Sequence, residues 1–187
     1  IFNEKDQQKK VKLFWEWYAK QPVKNVITEN LEKAIRLNNE KDVNDFLGTI
    51  NYQFNEELKT ILTNKDMEKY TNWYNNAPQV IQKVMPNPNN PNNPNTFANI
   101  KTDKKSINTY QDTVYNALKS KINDIINTKD EDDRFTAFCE FYEQIPPRIR
   151  DQRINSNLRL DFVQQLPDIF SKDNINSINK FYWNNNR

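Results

Sequence analysis

The chain has 187 residues, with 27 basic and 25 acidic side chains, and 12% of its residues are aromatic. This charge is too balanced to imply nucleic acid or an anionic membrane as a partner, and the aromatic content indicates a packed core. Histidine is absent, and Cys139 is the only cysteine, which excludes an intramolecular disulfide and a cysteine-based zinc site. Glycine occurs only at Gly48, which favours helices joined by Asn, Asp and Pro over a sheet.

The sequence also bears on where the protein works. No apolar run approaches the ~20 residues that a membrane helix needs, so we expect no membrane insertion. The chain shows no signal peptide and no Asn-x-Ser/Thr sequon, and together with the single cysteine this favours an intracellular protein. Because the chain starts at Ile1 rather than Met, we expect a processed form or a fragment.

The first third of the chain predicts three helices. They are a helix over 4–20 that ends at Pro22, a helix over 28–37, and a longer helix over 42–62 with Asp42 as its N-cap. Apolar residues recur on one face of the longer helix at helical spacing: Val43, Phe46, Leu47, Ile50, Phe54, Leu58, Ile61 and Leu62.

The middle third predicts a helix opened by Asp66 and ended by Pro78, a polar Asn/Pro loop over 86–96, and a long helix over 103–127. The inward residues of this long helix are Ile107, Tyr110, Val114, Leu118, Ile122, Ile125 and Ile126.

In the last third, Thr128-x-x-Glu131 is interpreted as a capping box that starts a helix ending at Pro146. A basic helical segment follows and is broken by Pro167, and Asp173 opens a last helix.

These three parts share one pattern: an aromatic residue, then Tyr, and four residues after the Tyr a Pro. Its copies are Trp17, Tyr18 and Pro22; Trp73, Tyr74 and Pro78; and Phe141, Tyr142 and Pro146. A Lys-Asp pair precedes each copy, and the middle copy is four residues shorter between these elements, which is about one helical turn. Adding 64 to the apolar positions of the first long helix gives those of the second, with Leu47 as the one position left out of the match.

We therefore expect an all-α fold, a tandem array of about three helical repeats of about 60 residues, packed as a bundle or a short solenoid. Each repeat consists of a helix that ends at a Pro, a connector, and a long helix. The expected units are 3–63, 64–127 with the Asn/Pro loop, and 128–187, the last one truncated or capping.

Two interpretations of the aromatic segments compete. They could form a platform on which bases or a peptide stack, or they could pack in the core. Their recurrence at matching positions favours the core, with the Tyr hydroxyl bonded to a backbone carbonyl or water near the Pro.

Basic residues are the candidate interaction surface. They are Arg148, Arg150, Arg153, Arg159, Lys101, Lys104 and Lys105. They could bind an anion or RNA, but the simpler interpretation of the arginines is a solvated face paired with acids such as those of Asp130–Asp133 and Asp151.

Other chemistry is weakly signalled. The acidic run Asp130–Asp133 lacks the ligand spacing of an EF-hand loop and is explained by the helix dipole. Glu16 and Glu140 occupy the same position in the first and last copies, but nothing in the sequence brings them together. Cys139 is interpreted as a thiol that packs against neighbouring side chains. We expect no catalytic residues, cofactor, metal site or small-molecule substrate.

The sequence favours a non-enzymatic helical scaffold that binds protein partners, or a structural subunit of an assembly. Its expected working surfaces are the connectors 23–41, 79–102 and 147–172, which differ between copies. An RNA- or nucleic-acid-binding helical array is the alternative, and a pathogen effector or surface protein from an AT-rich genome is a further one.

Overall fold

The structure, a computed structural model, describes residues 4–6, 8–9, 12–13, 16–17, 20–90 and 99–150, and of Asn25 and Arg148 only the backbone. This part is mostly helical and contains no strand, which confirms the all-α prediction. Residues 8–9, 12–13 and 16–17 are helical, in agreement with the helix predicted over 4–20, whereas residues 4–6 at its predicted start are not helical and residue 20 is in a turn. The last predicted helix and most of the basic segment, residues 151–187, lie outside the described residues.

Eight helices of the described part carry labels in chain order, and α3 and α6 are the two long ones. They are α1 (Val23–Val26), α2 (Glu29–Arg36), α3 (Glu40–Thr63), α4 (Met67–Asn76), α5 (Gln79–Gln82), α6 (Lys104–Ile126), α7 (Glu131–Gln144) and α8 (Pro147–Arg150). The helices α2, α3, α4, α6 and α7 occur in the predicted order, whereas the short helices α1 and α5 were not predicted. As expected from the sequence, α7 exceeds α4 by four residues.

Side-chain oxygens cap most of these helices. Asp66 accepts a hydrogen bond from the amide of Lys69, and Asp103 accepts one from that of Ser106, as predicted for α4 and α6. The prediction for α3 was wrong: its N-cap is Asn39, which accepts from the amide of Asp42. Asp42 is therefore a first-turn acid, which still favours the positive end of the helix dipole.

The capping box predicted for α7 was also wrong. Asp130 is the N-cap and accepts from the amide of Asp133 at 2.9 Å, whereas the hydroxyl of Thr128 donates to the carbonyl of Asp124. Thr128 and the four acids at 130–133 lie within a few residues and offer several caps of similar merit, so the sequence pattern alone does not choose among them.

Two helices end in a Schellman motif without glycine. After α2, the amide of Asn39 donates to the carbonyl of Ala34 across Asn38, whose φ is 54°. After α3, the amide of Asp66 donates to the carbonyl of Ile61 across Lys65, whose φ is 52°. Asparagine tolerates this left-handed conformation, but a lysine there is strained.

The two long helices bury matching positions. The buried apolar residues of α6 each lie 64 residues after a buried residue of α3: Ile107, Val114, Leu118, Ile122 and Ile125 follow Val43, Ile50, Phe54, Leu58 and Ile61. The helices pack against each other and share one hydrophobic core with α4, α5, α7 and α8.

The short helices α5 and α8 pack on the long helices. The helix α5 packs on α6, which follows it in the same predicted unit, while α8 of the last predicted unit packs on α3 of the first. In addition, α1 and α2 pack against α7. Because segments from the first and the last predicted unit are in contact, the described part is a closed bundle and not a linear stack.

Candidate functional site

The middle aromatic segment lies in the core. Trp73 and Tyr74 are buried, and the ring of Trp73 stacks on Tyr70 at a centroid distance of 5.9 Å and meets Phe54 edge-on at 6.4 Å. Pro78 is buried as well, between α4 and α5. No face of this segment remains for a stacking base, so the core interpretation holds here.

A reciprocal pair of hydrogen bonds closes the turn at Pro78. The hydroxyl of Tyr74 donates to the carbonyl of Gln82 at 2.9 Å, and Nε2 of Gln82 donates back to the carbonyl of Tyr74 at 2.9 Å. We call this arrangement the tyrosine clamp. It confirms the prediction that the Tyr hydroxyl bonds a backbone carbonyl near the proline, and burial raises the pKa of Tyr74.

The last aromatic segment repeats the clamp. The hydroxyl of Tyr142 donates to the carbonyl of Arg150 at 3.5 Å, and Nη1 of Arg150 donates to the carbonyl of Tyr142 at 3.3 Å. The guanidinium also lies 5.2 Å from the centre of the Tyr142 ring. Phe141 and Pro146 are buried. In both clamps the partner lies eight residues after the Tyr, so α5 and α8 are held in the same way.

The first aromatic segment differs where it is described. Trp17 is half-buried and Pro22 is exposed. The carbonyl of Trp17 accepts from the amide of Lys20 and from Nε2 of Gln21, both at 3.1 Å. Tyr18 lies outside the described residues.

The candidate arginines are not brought together by the described structure. Arg150 is half-buried in the second clamp, the side chain of Arg148 is outside the described part, and Arg153 and Arg159 lie beyond it. Two of the acids expected to pair with them have another partner, because Arg36 forms ion pairs with Glu131 and Asp132.

The candidate lysines Lys101, Lys104 and Lys105 are exposed around the start of α6. Between them lies the N-cap Asp103, whose pKa is lowered by hydrogen bonds from the hydroxyl and the amide of Ser106. The first turn of α6 contains no acid, so lysine charge adds to the positive end of the helix dipole there.

Sequence reasoning missed an interlock between α2 and the first turn of α7. Buried Arg134 donates to the carbonyls of Thr128 at 2.9 Å and Lys129 at 3.1 Å, and also to those of Ile35 and Arg36 at the end of α2. One guanidinium thus satisfies carbonyls of both segments. The sequence did indicate that Arg134 lies on the buried face of α7, since it precedes the buried residues Phe138 and Phe141 by four and seven positions.

Arg36 forms the other side of this interlock. It pairs with Glu32 at 3.2 Å and with Asp132, and its guanidinium lies 4.5 Å from the centre of the Phe135 ring. Hydrogen bonding to Asp132 raises the pKa of Arg36. Asp132 and Arg134 belong to the turn by which α7 exceeds α4, so the extra turn supplies polar contacts between α7 and the end of α2.

Two further groups have a definite environment. The thiol of Cys139 is half-buried, and desolvation, followed by the charges of Glu32 and Glu143, raises its pKa to about 11, which makes it a poor nucleophile at neutral pH. Tyr70 donates from its hydroxyl to the carbonyl of Pro86 at 2.7 Å and fixes the start of the Asn/Pro loop, while burial raises its pKa.

Among the described residues, His, Cys, Asp and Glu side chains form no group of three or more that could hold a metal ion. No helix of that part combines the length and the apolar character needed to cross a membrane. Comparisons of the chain with protein-family models, with curated proteins and with solved structures found no match.

Proposed function

We propose that the chain is a helical repeat module that serves as a non-enzymatic scaffold for protein partners. The observation that supports this proposal is that two separate features of the structure recur along the chain at nearly the same interval. Burial in the long helices matches at 64 residues, and the tyrosine clamps and their prolines match at 68. The four-residue difference is the extra turn of α7.

Repeated frameworks with differing connectors are typical of interaction proteins, since the framework is kept by packing and the connectors are free to vary. The first two connectors differ in build. One contains the helices α1 and α2, which cover α7, and the other contains α5 and the start of the Asn/Pro loop. Leu37 in the first is 67% exposed, and Val84 in the second is 47% exposed. Apolar side chains of this exposure can be buried by a protein partner.

Capture of proteins from a nuclease-treated extract by the intact chain tests this proposal. We expect a partner that is retained by the wild type and by Tyr52→Glu but lost on Leu37→Glu or Val84→Glu. Tyr52 is a matched control because it is 61% exposed on α3, outside the connectors. Equal recovery by all four proteins, or recovery of nothing specific, would argue against connectors as working surfaces.

Nucleic-acid binding is a second candidate, favoured by the exposed lysines 101, 104 and 105 at the start of α6. If it holds, affinity for single-stranded RNA falls steeply as salt rises, and Lys104→Glu/Lys105→Glu reduces both the affinity and the salt slope. Lys59→Glu/Lys69→Glu, at exposed positions of α3 and α4, is the control with the same change in net charge. Absence of binding at low salt rules this candidate out.

A further inference from the structure

The short helices α1 and α2 form one layer on α7, and we call residues 23–36, which contain both helices, the cover. The helix α2 packs on α7 and α3, and α1 packs on α7. The two helices have four and eight residues, fewer than the ~12–15 that an isolated helix needs in water. The structure of the cover therefore depends on these contacts.

Arginines supply the polar part of the contact between the cover and α7. Arg134 of α7 donates to the carbonyls of Ile35 and Arg36, and Arg36 forms an ion pair with Asp132. Arg134 is buried, yet it forms no ion pair with any described residue. Water that reaches this guanidinium when the cover leaves would solvate a buried charge that only carbonyls stabilise. Opening therefore costs less here than it would across a wholly apolar contact.

Asn38 is suited to act as a hinge between the cover and α3. It lies in the turn after α2, its φ is 54°, and α3 begins at Glu40. Asparagine adopts the left-handed conformation more readily than most residues and is equally at home in the other allowed regions. A change of backbone angle at Asn38 would thus move the cover relative to α3 without strain.

Cys139 lies at the contact between the cover and α7. Besides desolvation, the charge of Glu32 on α2 raises the pKa of its thiol, whereas the charges of Arg36 on α2 and Lys24 on α1 lower that pKa. Both helices of the cover are therefore close to the sulfur, which is half-buried. Because the chain has no other cysteine, a thiol reagent reports on this one contact.

We propose that the cover opens about Asn38 while the rest of the bundle stays folded, and that the contacts of Arg36 with the start of α7 set how often it opens. Opening exposes Cys139 and Phe135, whose ring centre lies 4.5 Å from the guanidinium of Arg36. It also displaces Leu37, so the cover would regulate the first connector as a binding surface. The inference rests on contacts inside the chain and not on the proposed function, and its test uses no partner.

Reaction of Cys139 with an aromatic disulfide reagent, in native buffer and in urea below the unfolding transition, tests the proposal. We expect the folded chain to react at least roughly tenfold more slowly than the unfolded chain, with a rate that depends on urea much less than global unfolding does. Asp132→Asn, which removes an ion-pair partner of Arg36, should raise the rate roughly two- to fivefold. Asp133→Asn is the matched control and should leave the rate unchanged. Asp133 is exposed in the same first turn of α7 and forms no ion pair within the described part of the chain.

Amide hydrogen exchange of the wild type, followed by mass spectrometry, is a second measurement that needs no variant. The amides of α2 should exchange roughly tenfold or more faster than those of α3 and α6. The proposal is overturned if Cys139 of the wild type reacts as fast as in the unfolded chain, or if its rate follows global unfolding in urea. It is equally overturned if Asp132→Asn and Asp133→Asn react alike, or if the amides of α2 are as protected as those of α3.

Discussion

Truncation of Trp73 probes the core that the aromatic segments build. The side chain is 3% exposed and contacts Tyr70 and Phe54. A tryptophan of this burial removes roughly 150–250 Å² from water, worth about 4–6 kcal/mol at ~25 cal/mol per Å². Truncations of this kind cost about 3–5 kcal/mol in proteins. We expect Trp73→Ala to lower the free energy of unfolding by that amount.

A conservative variant sharpens the prediction. Nε1 of Trp73 is buried without a hydrogen-bond partner among the described residues, and such a group costs about 1–3 kcal/mol. Trp73→Phe removes this unpaired donor along with part of the ring. We therefore expect it to cost under about 1.5 kcal/mol, because the two effects oppose each other. Phe141 fills the corresponding place in the last aromatic segment, which is consistent with this expectation.

Urea unfolding followed by circular dichroism measures both variants, with Trp17→Ala as the comparison. Trp17 is half-buried, so its truncation should cost clearly less than that of Trp73. Refutation would come from a Trp73→Phe variant as unstable as Trp73→Ala, which would mean that the indole N–H is hydrogen-bonded. A negligible loss in Trp73→Ala would revive the exposed stacking platform.

Four further outcomes follow from single positions. Gly48→Ala should stabilise the chain by about 0.5–1 kcal/mol, because Gly48 is inside α3 and a Cβ there meets nothing within 4 Å; a lower melting temperature would contradict this. Lys65→Gly should gain about 0.5–1 kcal/mol by relieving the left-handed backbone, as measured by thermal unfolding. Arg134→Met should cost about 2–4 kcal/mol because carbonyls of two segments lose their donor, and a cost near zero in urea unfolding would show that water replaces it. Cys139, with a pKa of about 11 against an ordinary value of 9.0, should react with a thiol reagent ever faster from pH 8 to 11, whereas a plateau near pH 9 would refute the raised pKa.

Local rules in the sequence predicted the local structure well. The long helices follow from apolar residues at helical spacing, the starts of α4 and α6 follow from Asp66 and Asp103, and the ends of α4 and α7 follow from Pro78 and Pro146. The tyrosine clamp was predicted in part, since a buried hydroxyl needs a partner and the chain reverses at the proline. Its second half, donation from Gln82 or Arg150, depends on side-chain direction that no spacing gives.

Contacts between distant segments were not predictable in the same way. Arg36 and Asp132 are 96 residues apart, and the chain offers many acid–base pairs of similar merit, so charge alone selects none of them. The spacing of Arg134 from Phe138 and Phe141 suggests that it is buried. A charged residue next to an apolar helix face is ordinarily taken to lie at the border of that face, with its charge in water. The closed packing, with α2 on α7, depends on this interlock, and therefore the choice between a bundle and a solenoid stayed open.

We propose that this chain is a non-enzymatic module that binds protein through its connectors, and calorimetric titration of a captured partner into the intact chain tests that proposal. We expect saturable binding that is weakened by Leu37→Glu or Val84→Glu and unchanged by Tyr52→Glu. Binding that is unchanged by both connector substitutions, or that is due to nucleic acid alone, would contradict this proposal.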